Sequence, residues 1–400
     1  MNPAYLEIAA RIGARLCRDA IWYQGRTNWT SDFLDGETIA HGALGPELYS
    51  GTSGIALFLW RLAEVTGERI FRVTAEAALR QALDRMPVSG CGLYSGGLGI
   101  FYAAAEIRQE FDEDIVLRQA EPNPMQLDLI DGSAGAIAVL LNLHARTRSA
   151  PLLEAAVRHG DLLLREASRS EDGWSWKTIP TSQNLTGFSH GASGIAWALL
   201  ELHRVTGEHR FRQAAFEAFR YERNCFNPAE QNWPDFRGEQ ASYPVFWCHG
   251  AAGIGLCRLR AWQITGDADL LAEAHAALQT VERHSAALAN FSLCHGRAGN
   301  ADVLISASQI LGEESWLRSA EAIAQEGLER FERRRVPWPC GLPDANETPD
   351  LMLGLAGIGY FYLRLADPAR IPSVLHLVGQ ASGLSGQVGD LSYGEGEISK

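Results

Sequence analysis

Hydrophobic residues recur along this chain in two alternating kinds of segment. The first kind is apolar on nearly every side, as in Ile55-Ala-Leu-Phe-Leu-Trp-Arg-Leu62 and Ile195-Ala-Trp-Ala-Leu-Leu-Glu-Leu202, and a helix with this pattern is expected to be buried. The second kind has apolar residues at helical spacing and charges on the other face, as in Leu271-Ala-Glu-Ala-His-Ala-Ala-Leu278, which is typical of an amphipathic helix. The alternation predicts an inner layer of helices covered by an outer layer.

A Gly-x-x-Gly motif precedes each of the buried segments. Its seven copies have their first glycines at Gly51, Gly96, Gly132, Gly191, Gly250, Gly296 and Gly354. The intervals run from 36 residues (132 − 96) to 59 residues (191 − 132), and each has room for two helices of about 11–12 residues with their loops. This internal repetition predicts an all-α fold, an α/α toroid of seven inner and seven outer helices, formed by residues 1–379 as one domain. The Gly- and Ser-rich stretch 380–400 is expected to be a disordered tail.

If all seven inner helices start at the same rim, the residues in front of the first glycines line one funnel. Glycine at these places lets backbones approach closely and leaves the helix N-termini unobstructed. The residues concerned are Ser50, Ser95, Asp131, His190, His249, His295 and Leu353. The sequence therefore predicts that three histidines and a carboxylate meet at one mouth.

Two of the seven motifs also carry a cysteine and a histidine, in Trp247-Cys-His-Gly250 and Leu293-Cys-His-Gly296. Cys248, Cys294 and His295 would offer zinc two thiolates and an imidazole, with the fourth tetrahedral position free, as in catalytic zinc sites. A lone Cys-His pair could equally be a buried core feature, but its recurrence in the same local frame favours a metal. The remaining cysteines lack this context and are expected to be core or surface thiols: Cys17, Cys91, Cys225, Cys257 and Cys340.

Charge and composition narrow the possible partners. The chain has 400 residues, 46% of them hydrophobic and 21% charged, as in an ordinary globular protein. A balance of 35 basic against 48 acidic residues gives a net charge of −13, which argues against nucleic acid or an anionic membrane as the main partner. No apolar run approaches the roughly 20 residues of a membrane span. The N-terminus lacks an export signal and the cysteines form no framework pattern, so we expect a reducing, cytoplasmic location.

These motifs resemble the lanthionine synthetase C-like cyclase family. The resemblance rests on the two Cys-His-Gly segments, on Phe188-Ser-His-Gly191, Asp128-Leu-Ile-Asp-Gly132 and Pro349-Asp-Leu-Met-Leu-Gly-Leu-Ala-Gly357, and it extends from about Leu6 to about Val378. The chain is most similar to the C-terminal cyclase domain of class II lanthipeptide synthetases, which favour histidine at the position of His249. It is therefore either a stand-alone cyclase or an excised domain.

The resemblance implies one catalytic zinc ion and a dehydrated precursor peptide as the substrate. Cysteine thiols would add to dehydroalanine or dehydrobutyrine, forming lanthionine or methyllanthionine thioether rings. The dehydratase domain of the class II enzymes is missing from this sequence, so a separate dehydratase, kinase or lyase would be a partner. The chemistry of the residues agrees: a zinc held by two thiolates suits a sulfur ligand, and zinc deprotonates a thiol that coordinates it.

The enolate formed by such an addition needs a proton. His190 matches the family's catalytic histidine, and imidazole titrates near neutral pH. Asp128 matches the family's acidic residue and would orient a histidine or assist deprotonation of the substrate, although Asp131 is a rival carboxylate three residues on. His249 could donate a hydrogen bond to the enolate oxygen or hold the zinc cysteines in place.

One feature departs from the class I pattern, which has an arginine a few residues before the first zinc cysteine. The segment Tyr243-Pro-Val-Phe-Trp-Cys248 has none. Arg237, in the preceding loop, could supply a comparable cation, and a surface salt bridge is the alternative role for it.

Other functions stay open at this point. The same zinc site could serve a transferase that adds a small thiol such as glutathione to dehydrated protein residues, as mammalian relatives of the family do. A non-catalytic, peptide-binding toroid is a third reading, but intact zinc motifs argue against it. A glycosidase on an α/α barrel would need paired carboxylates and has no use for two cysteines.

Overall fold

The computed structural model describes residues 1–35, 38–342 and 346–377, so the predicted tail at 380–400 lies outside the described residues. Within them the chain forms fourteen α-helices. Seven follow the Gly-x-x-Gly motifs: α2 (Thr52–Thr66), α4 (Gly97–Arg108), α6 (Ser133–Thr147), α8 (Ala192–Thr206), α10 (Ala251–Thr265), α12 (Arg297–Leu311) and α14 (Leu355–Ala366). The other seven are α1 (Pro3–Asp19), α3 (Arg69–Leu83), α5 (Glu113–Gln119), α7 (Ala150–Arg165), α9 (His209–Cys225), α11 (Ala268–His284) and α13 (Glu314–Gly327).

The inner helices close into a ring. Each packs against the next one along the chain, and α14 packs against α2. Each of α3, α7, α9, α11 and α13 covers the inner helix before it, whereas α14 is covered by α1 from the other end of the chain. The Asn2 N–H donates to the Ala366 carbonyl over 2.7 Å at this junction. The predicted α/α toroid of seven inner and seven outer helices is confirmed, with α5 reduced to seven residues.

The second glycine of each motif is required by a close backbone contact. A Cβ atom built there would lie 1.8–2.3 Å from the carbonyl oxygen six residues earlier, for example 2.0 Å from the Trp247 oxygen at Gly253. Real Cβ atoms do not approach so closely, so any side chain would push the loop away from the first turn of the helix. The motif thus lets each loop fold directly over the start of its inner helix.

The seven loops are joined in a closed ring of backbone hydrogen bonds. In each loop the carbonyl of the residue two places before the first glycine accepts one of these bonds. In six loops the N–H of the same residue donates the next one, and in the loop before α6 the donor is Leu129. The N–H to O=C bonds are Tyr49 to Tyr94 (2.8 Å), Tyr94 to Ile130 (2.9 Å), Leu129 to Ser189 (3.1 Å), Ser189 to Cys248 (3.0 Å), Cys248 to Cys294 (3.3 Å), Cys294 to Met352 (2.9 Å) and Met352 to Tyr49 (2.9 Å). The start points of all seven inner helices therefore form one rim, as the funnel prediction requires.

The segment 371–377 fills the centre of the toroid beneath this rim. Its buried residues follow α14, and its carbonyls accept hydrogen bonds from two loops on different sides of the ring. The Tyr94 hydroxyl donates to Val374 over 2.8 Å, and the Trp247 indole donates to Leu375 over 3.0 Å. The segment is thereby attached to two loops of the ring.

Three antiparallel hairpins lie outside the helical pattern and were not predicted. They are β1 (Ile21–Tyr23) with β2 (Arg26–Asn28), β3 (Thr30–Asp35) with β4 (Thr38–Ala43), and β5 (Ser168–Ser170) with β6 (Gly173–Ser175). The β3–β4 hairpin pairs Thr30 with Ala43 and runs directly into the loop before α2. None of the helices in the described part of the chain has the length and apolar character needed to cross a bilayer.

Candidate metal centre

The rim brings together the three predicted metal ligands. Cys248 lies in the loop before α10, while Cys294 and His295 lie in the loop before α12. The backbone bond from Cys248 to Cys294 joins these loops directly. The ligand atoms of the three side chains all lie within 4.8 Å of one another.

This donor set fits zinc. Zn–S bonds of about 2.3 Å at tetrahedral angles put two sulfur ligands roughly 3.8 Å apart, which the observed cluster can accommodate. The His295 Nε2 donates to the Gly341 carbonyl over 2.7 Å, so Nδ1 is the nitrogen left for a metal. The Tyr49 hydroxyl is hydrogen-bonded to the Cys294 sulfur. Cys294 and His295 thus each have a polar partner from outside the cluster, while Cys248 is hydrogen-bonded to Cys294 and His295 themselves.

A histidine and a carboxylate form a pair at the same cavity. The His190 Nδ1 lies 2.6 Å from Asp128 Oδ2, and Asp128 Oδ1 accepts the N–H groups of Ile130 (2.9 Å) and Asp131 (3.1 Å). Asp128 is buried, whereas 27% of the His190 side chain is exposed. An ionised carboxylate can only accept, so Nδ1 carries the hydrogen and Nε2 is free to exchange a proton with a molecule in the cavity.

The rival carboxylate, Asp131, is hydrogen-bonded to Asp128, whereas the hydrogen bond to His190 comes from Asp128. Burial, together with repulsion from Asp128, raises the pKa of Asp131 to about 6. It is not among the described residues that line the metal cavity. Of the two aspartates, Asp128 is the one that the structure places against His190.

His249 is buried beside this pair. Its ring stacks on that of His190 with centroids 5.9 Å apart, and its Nε2 lies 3.2 Å from Ser189 Oγ. Because that hydroxyl donates to the Cys248 carbonyl over 3.1 Å, it accepts from His249. Burial and the Arg237 charge lower the pKa of His249 to about 3, so this imidazole is neutral near pH 7.

Arg237 lies on the wall of the cavity and is also ion-paired. Its Nη2 lies 2.7 Å from Asp235 Oδ2, and Asp235 Oδ1 lies 4.0 Å from His249 Nδ1. The salt bridge expected as the alternative role is therefore present, but it holds the guanidinium at the site rather than on a remote surface.

These groups enclose a cavity of about 460 Å³. Its wall contains the site residues described above: His190, Arg237, Cys248, His249, Cys294 and His295. Tyr49, Ser95, Ile130, Ser189 and Phe246 complete it. Of the predicted funnel residues, Ser95, His190, His249 and His295 line it, whereas Ser50 and Leu353 line a neighbouring cavity. Asp131 lines neither of these two cavities.

Two contributors were missed in the sequence. Tyr49 precedes its first glycine by two places, as Cys248 and Cys294 do in their motifs, and this equivalence was the available signal. The second is Glu222, on α9, which with Arg258, on α10, forms a completely buried ion pair of 2.8 Å.

The Glu222 carboxylate also holds the loop that carries His190. Its Oε1 accepts the N–H groups of Gly187 (2.9 Å) and Ser193 (3.0 Å). The loop before α8 is thereby attached to the outer helix α9. In the sequence, the sign of this buried contact was Arg258, a charged residue within the apolar pattern of α10.

The chain is thus a helical toroid that carries, at one rim, two thiols and an imidazole close enough to hold a metal ion, next to a histidine–aspartate pair. Residues 42–376 match the family described as "Lanthionine synthetase C-like protein". The chain belongs to this family, and the resemblance predicted from the motifs is confirmed.

Two relatives illustrate the range of the family. The chain is 23% identical over 370 residues to the "Lacticin 481/lactococcin biosynthesis protein LcnDR2" of Lactococcus lactis subsp. lactis, covering 84% of this chain and 38% of that protein. The chain thus spans less than half the length of that relative. It is 26% identical over 348 residues to the "Glutathione S-transferase LANCL1" of Danio rerio, covering 80% of this chain and 82% of that protein.

Solved structures agree on the fold. Nisin cyclase superposes with a TM-score of 0.62 at 15% identity, covering 80% of this chain and 89% of that one. The GH76 alpha-mannanase BT2949 of Bacteroides thetaiotaomicron superposes with a TM-score of 0.52 at 11% identity, covering 92% and 96%. Identities this low show a common toroid and carry no chemistry.

Proposed function

We propose that this protein is a zinc-dependent peptide cyclase that adds cysteine thiols to dehydroalanine or dehydrobutyrine in a ribosomal precursor peptide. The observation that carries the proposal is the shared cavity: Cys248, Cys294 and His295 lie on one part of its wall and His190 on another, with Asp128 bonded to His190 from behind the wall. Zinc bound by the three ligands would supply a Lewis acid that lowers the pKa of a substrate thiol. The product would be a lanthionine or methyllanthionine ring.

The residues of the chain account for the proton balance of this addition. The thiol loses its proton as sulfur bonds to the β-carbon, and the resulting enolate gains one at the α-carbon. His190 can accept the first proton at Nε2 and deliver the second from the same atom, while Asp128 holds Nδ1–H and stabilises the imidazolium. Arg237 would offset negative charge on the enolate oxygen, since its guanidinium lies on the cavity wall. His249 is neutral and keeps the Cys248 loop in place through Ser189.

The substrate must arrive already dehydrated. We propose that a dehydratase, kinase or lyase acts first, as the resemblance to class II synthetases implies. The free thiols of all seven cysteines fit a reducing cytoplasm.

Transfer of a small thiol is the second candidate. The observation in its favour is the similarity to the Danio rerio protein, which extends over 82% of that relative. The same groups would then bring an external thiol, such as glutathione, to a dehydrated residue. Only the cyclase reaction gives a cyclic product, because glutathione transfer joins two separate molecules.

The test combines zinc content with ring closure. Purified wild type, Cys294→Ala and the control Cys17→Ala, on α1 far from the site, are analysed for zinc. Each is given a dehydrated peptide with one free cysteine, and iodoacetamide then labels any thiol that has not cyclised, because ring closure itself leaves the mass unchanged. We expect about one zinc and an unlabelled peptide with wild type and Cys17→Ala, and neither with Cys294→Ala.

A parallel reaction separates the two candidates. A dehydrated peptide without cysteine is incubated with glutathione, and a mass gain of one glutathione would favour the transferase. Wild type that holds no zinc would refute both.

A further inference from the structure

A second cavity, of about 430 Å³, lies beside the metal cavity. Tyr49 belongs to the walls of both. The second cavity is enclosed by the β3–β4 hairpin, the loop before α2 and the loop before α14. Volumes of this size are typical of specific ligand pockets, and Tyr49 is the residue that the two walls share.

The polar part of its wall is acidic. Asp32, Glu47 and Asp350 line it, and no lysine or arginine is among the described residues of the wall. Asp32 is already engaged by His41 and by Asn346. Glu47 and Asp350 form no ion pair with any described residue, although Asp350 is 97% buried. Two carboxylates thus face the cavity without a cation.

A buried hydroxyl on the same wall also lacks a partner. The Thr348 side chain is 98% buried and lies beside the Asp350 carboxylate, but its Oγ1 has no hydrogen-bond partner of acceptable geometry. A buried polar atom left unpaired costs free energy, so a donor entering the cavity would find an acceptor here as well as at the two carboxylates.

The rest of the wall is apolar. Phe33, Leu44, Leu342 and Leu353 form it, and the Phe33 ring is 45% exposed. Apolar walls with acidic groups among them suit a side chain that has a hydrocarbon stem and a cationic end, as lysine and arginine have.

We propose that this cavity binds a lysine or arginine side chain of the substrate peptide, from the segment that leaves the metal cavity past Tyr49. The inference rests on the proposed function, because only a peptide substrate has a flanking segment. Residues 371–377 are held beneath the rim by Tyr94 and Trp247, so we place the exit of that segment across the rim. The cavity would then select which cysteine of a peptide reaches the metal centre.

The binding experiment uses fluorescent peptides in which serine replaces the dehydrated residue, so that no reaction occurs. A single lysine is moved stepwise away from the cysteine, and each peptide is matched with one that has norleucine instead. At the preferred spacing we expect the lysine peptide to bind wild type about tenfold more tightly, the scale of one charge-assisted hydrogen bond. Glu47→Gln should reduce this preference to less than about twofold, and the control Glu314→Gln, on an exposed part of α13, should keep it.

Asp350→Asn is the second variant, and because Asp350 also accepts the Leu353 N–H, its fold is checked by circular dichroism. Equal binding of lysine and norleucine peptides at every spacing would overturn the proposal, as would a preference that Glu47→Gln leaves intact. Tighter binding of the norleucine peptide would show that the cavity prefers an apolar side chain, and this would also overturn the proposal. A wild-type dimer that excludes the peptide would overturn the proposal as well.

Ring closure by the dehydrated versions of the same peptides separates the two proposals. Rings that form with no dependence on lysine would sustain the cyclase and refute the cavity assignment. A lysine preference in binding without any ring closure would sustain the cavity assignment and refute the cyclase.

Discussion

Replacing Asp128 by asparagine should remove most of the activity and leave the toroid folded. The Asp128 Oδ1 accepts two backbone N–H groups, from Ile130 and Asp131, while Oδ2 bonds His190. Asparagine keeps the first oxygen and replaces the second by an NH₂ group, which donates instead of accepting. His190 would then present the wrong tautomer, with the hydrogen on Nε2 rather than on Nδ1.

The magnitudes follow from these contacts. Loss of a hydrogen bond to a charged group costs about 1.5–3 kcal/mol, which corresponds to a roughly 10- to 150-fold slower reaction. The free energy of unfolding should change by less than about 1 kcal/mol, because both backbone donors keep their acceptor. Asp128→Ala, in contrast, leaves two N–H groups unpaired at about 1–3 kcal/mol each and should destabilise the protein by about 2–6 kcal/mol.

The assay is single-turnover ring closure, followed by thiol labelling and mass spectrometry, with urea unfolding of the same samples. Asp131→Asn is the matched control: its amide can keep the hydrogen bond that Asp131 makes to Asp128, and it should retain its activity. The reasoning is refuted if Asp128→Asn cyclises at the wild-type rate, or if Asp131→Asn loses as much activity as Asp128→Asn.

Three further predictions concern stability. Glu222→Gln removes the charge of Glu222 from its buried pair with Arg258, which keeps Glu273 as a second partner, and should lower the free energy of unfolding in urea by about 1–3 kcal/mol; an unchanged unfolding midpoint would mean that the pair is not needed to hold the loop. Asp131 has a folded-state pKa raised to about 6, so its favourable contribution is complete below about pH 4 and is lost as the pH rises through 6. Asp131→Asn should therefore stabilise the protein at pH 7 by about 1–2 kcal/mol, after allowance for solvent screening, and not at pH 4; equal gains at both values would contradict this. Trp247→Phe removes the donor to the Leu375 carbonyl and should cost about 1–3 kcal/mol without loss of zinc, which metal analysis of the folded variant checks.

The local features of this fold could be predicted from the sequence. Buried and amphipathic helices have a period of 3.6 residues that is visible within one segment. Gly-x-x-Gly is needed where each helix starts, because a Cβ atom there would collide with a carbonyl only six residues away. That Cys248, Cys294 and His295 lie together could be predicted for the same reason: their short motifs repeat in one local frame.

Contacts between distant parts of the chain were beyond the sequence. The pairing of α1 with α14, the segment 371–377 inside the ring and the link from Glu222 to the His190 loop all join residues far apart in the chain. No periodicity records such contacts, because each depends on how the whole ring closes.

The choice between Asp128 and Asp131 shows the limit most clearly. Both are aspartates in one five-residue motif, and sequence spacing alone did not say which of them meets a histidine 62 residues away. The loop before α6 turns the Asp128 carboxylate towards His190 by binding it to two backbone N–H groups. The sequence determined which residues could do chemistry at this rim, and the tertiary structure decided which of them meet, because side-chain direction depends on backbone hydrogen bonds formed only in the closed ring.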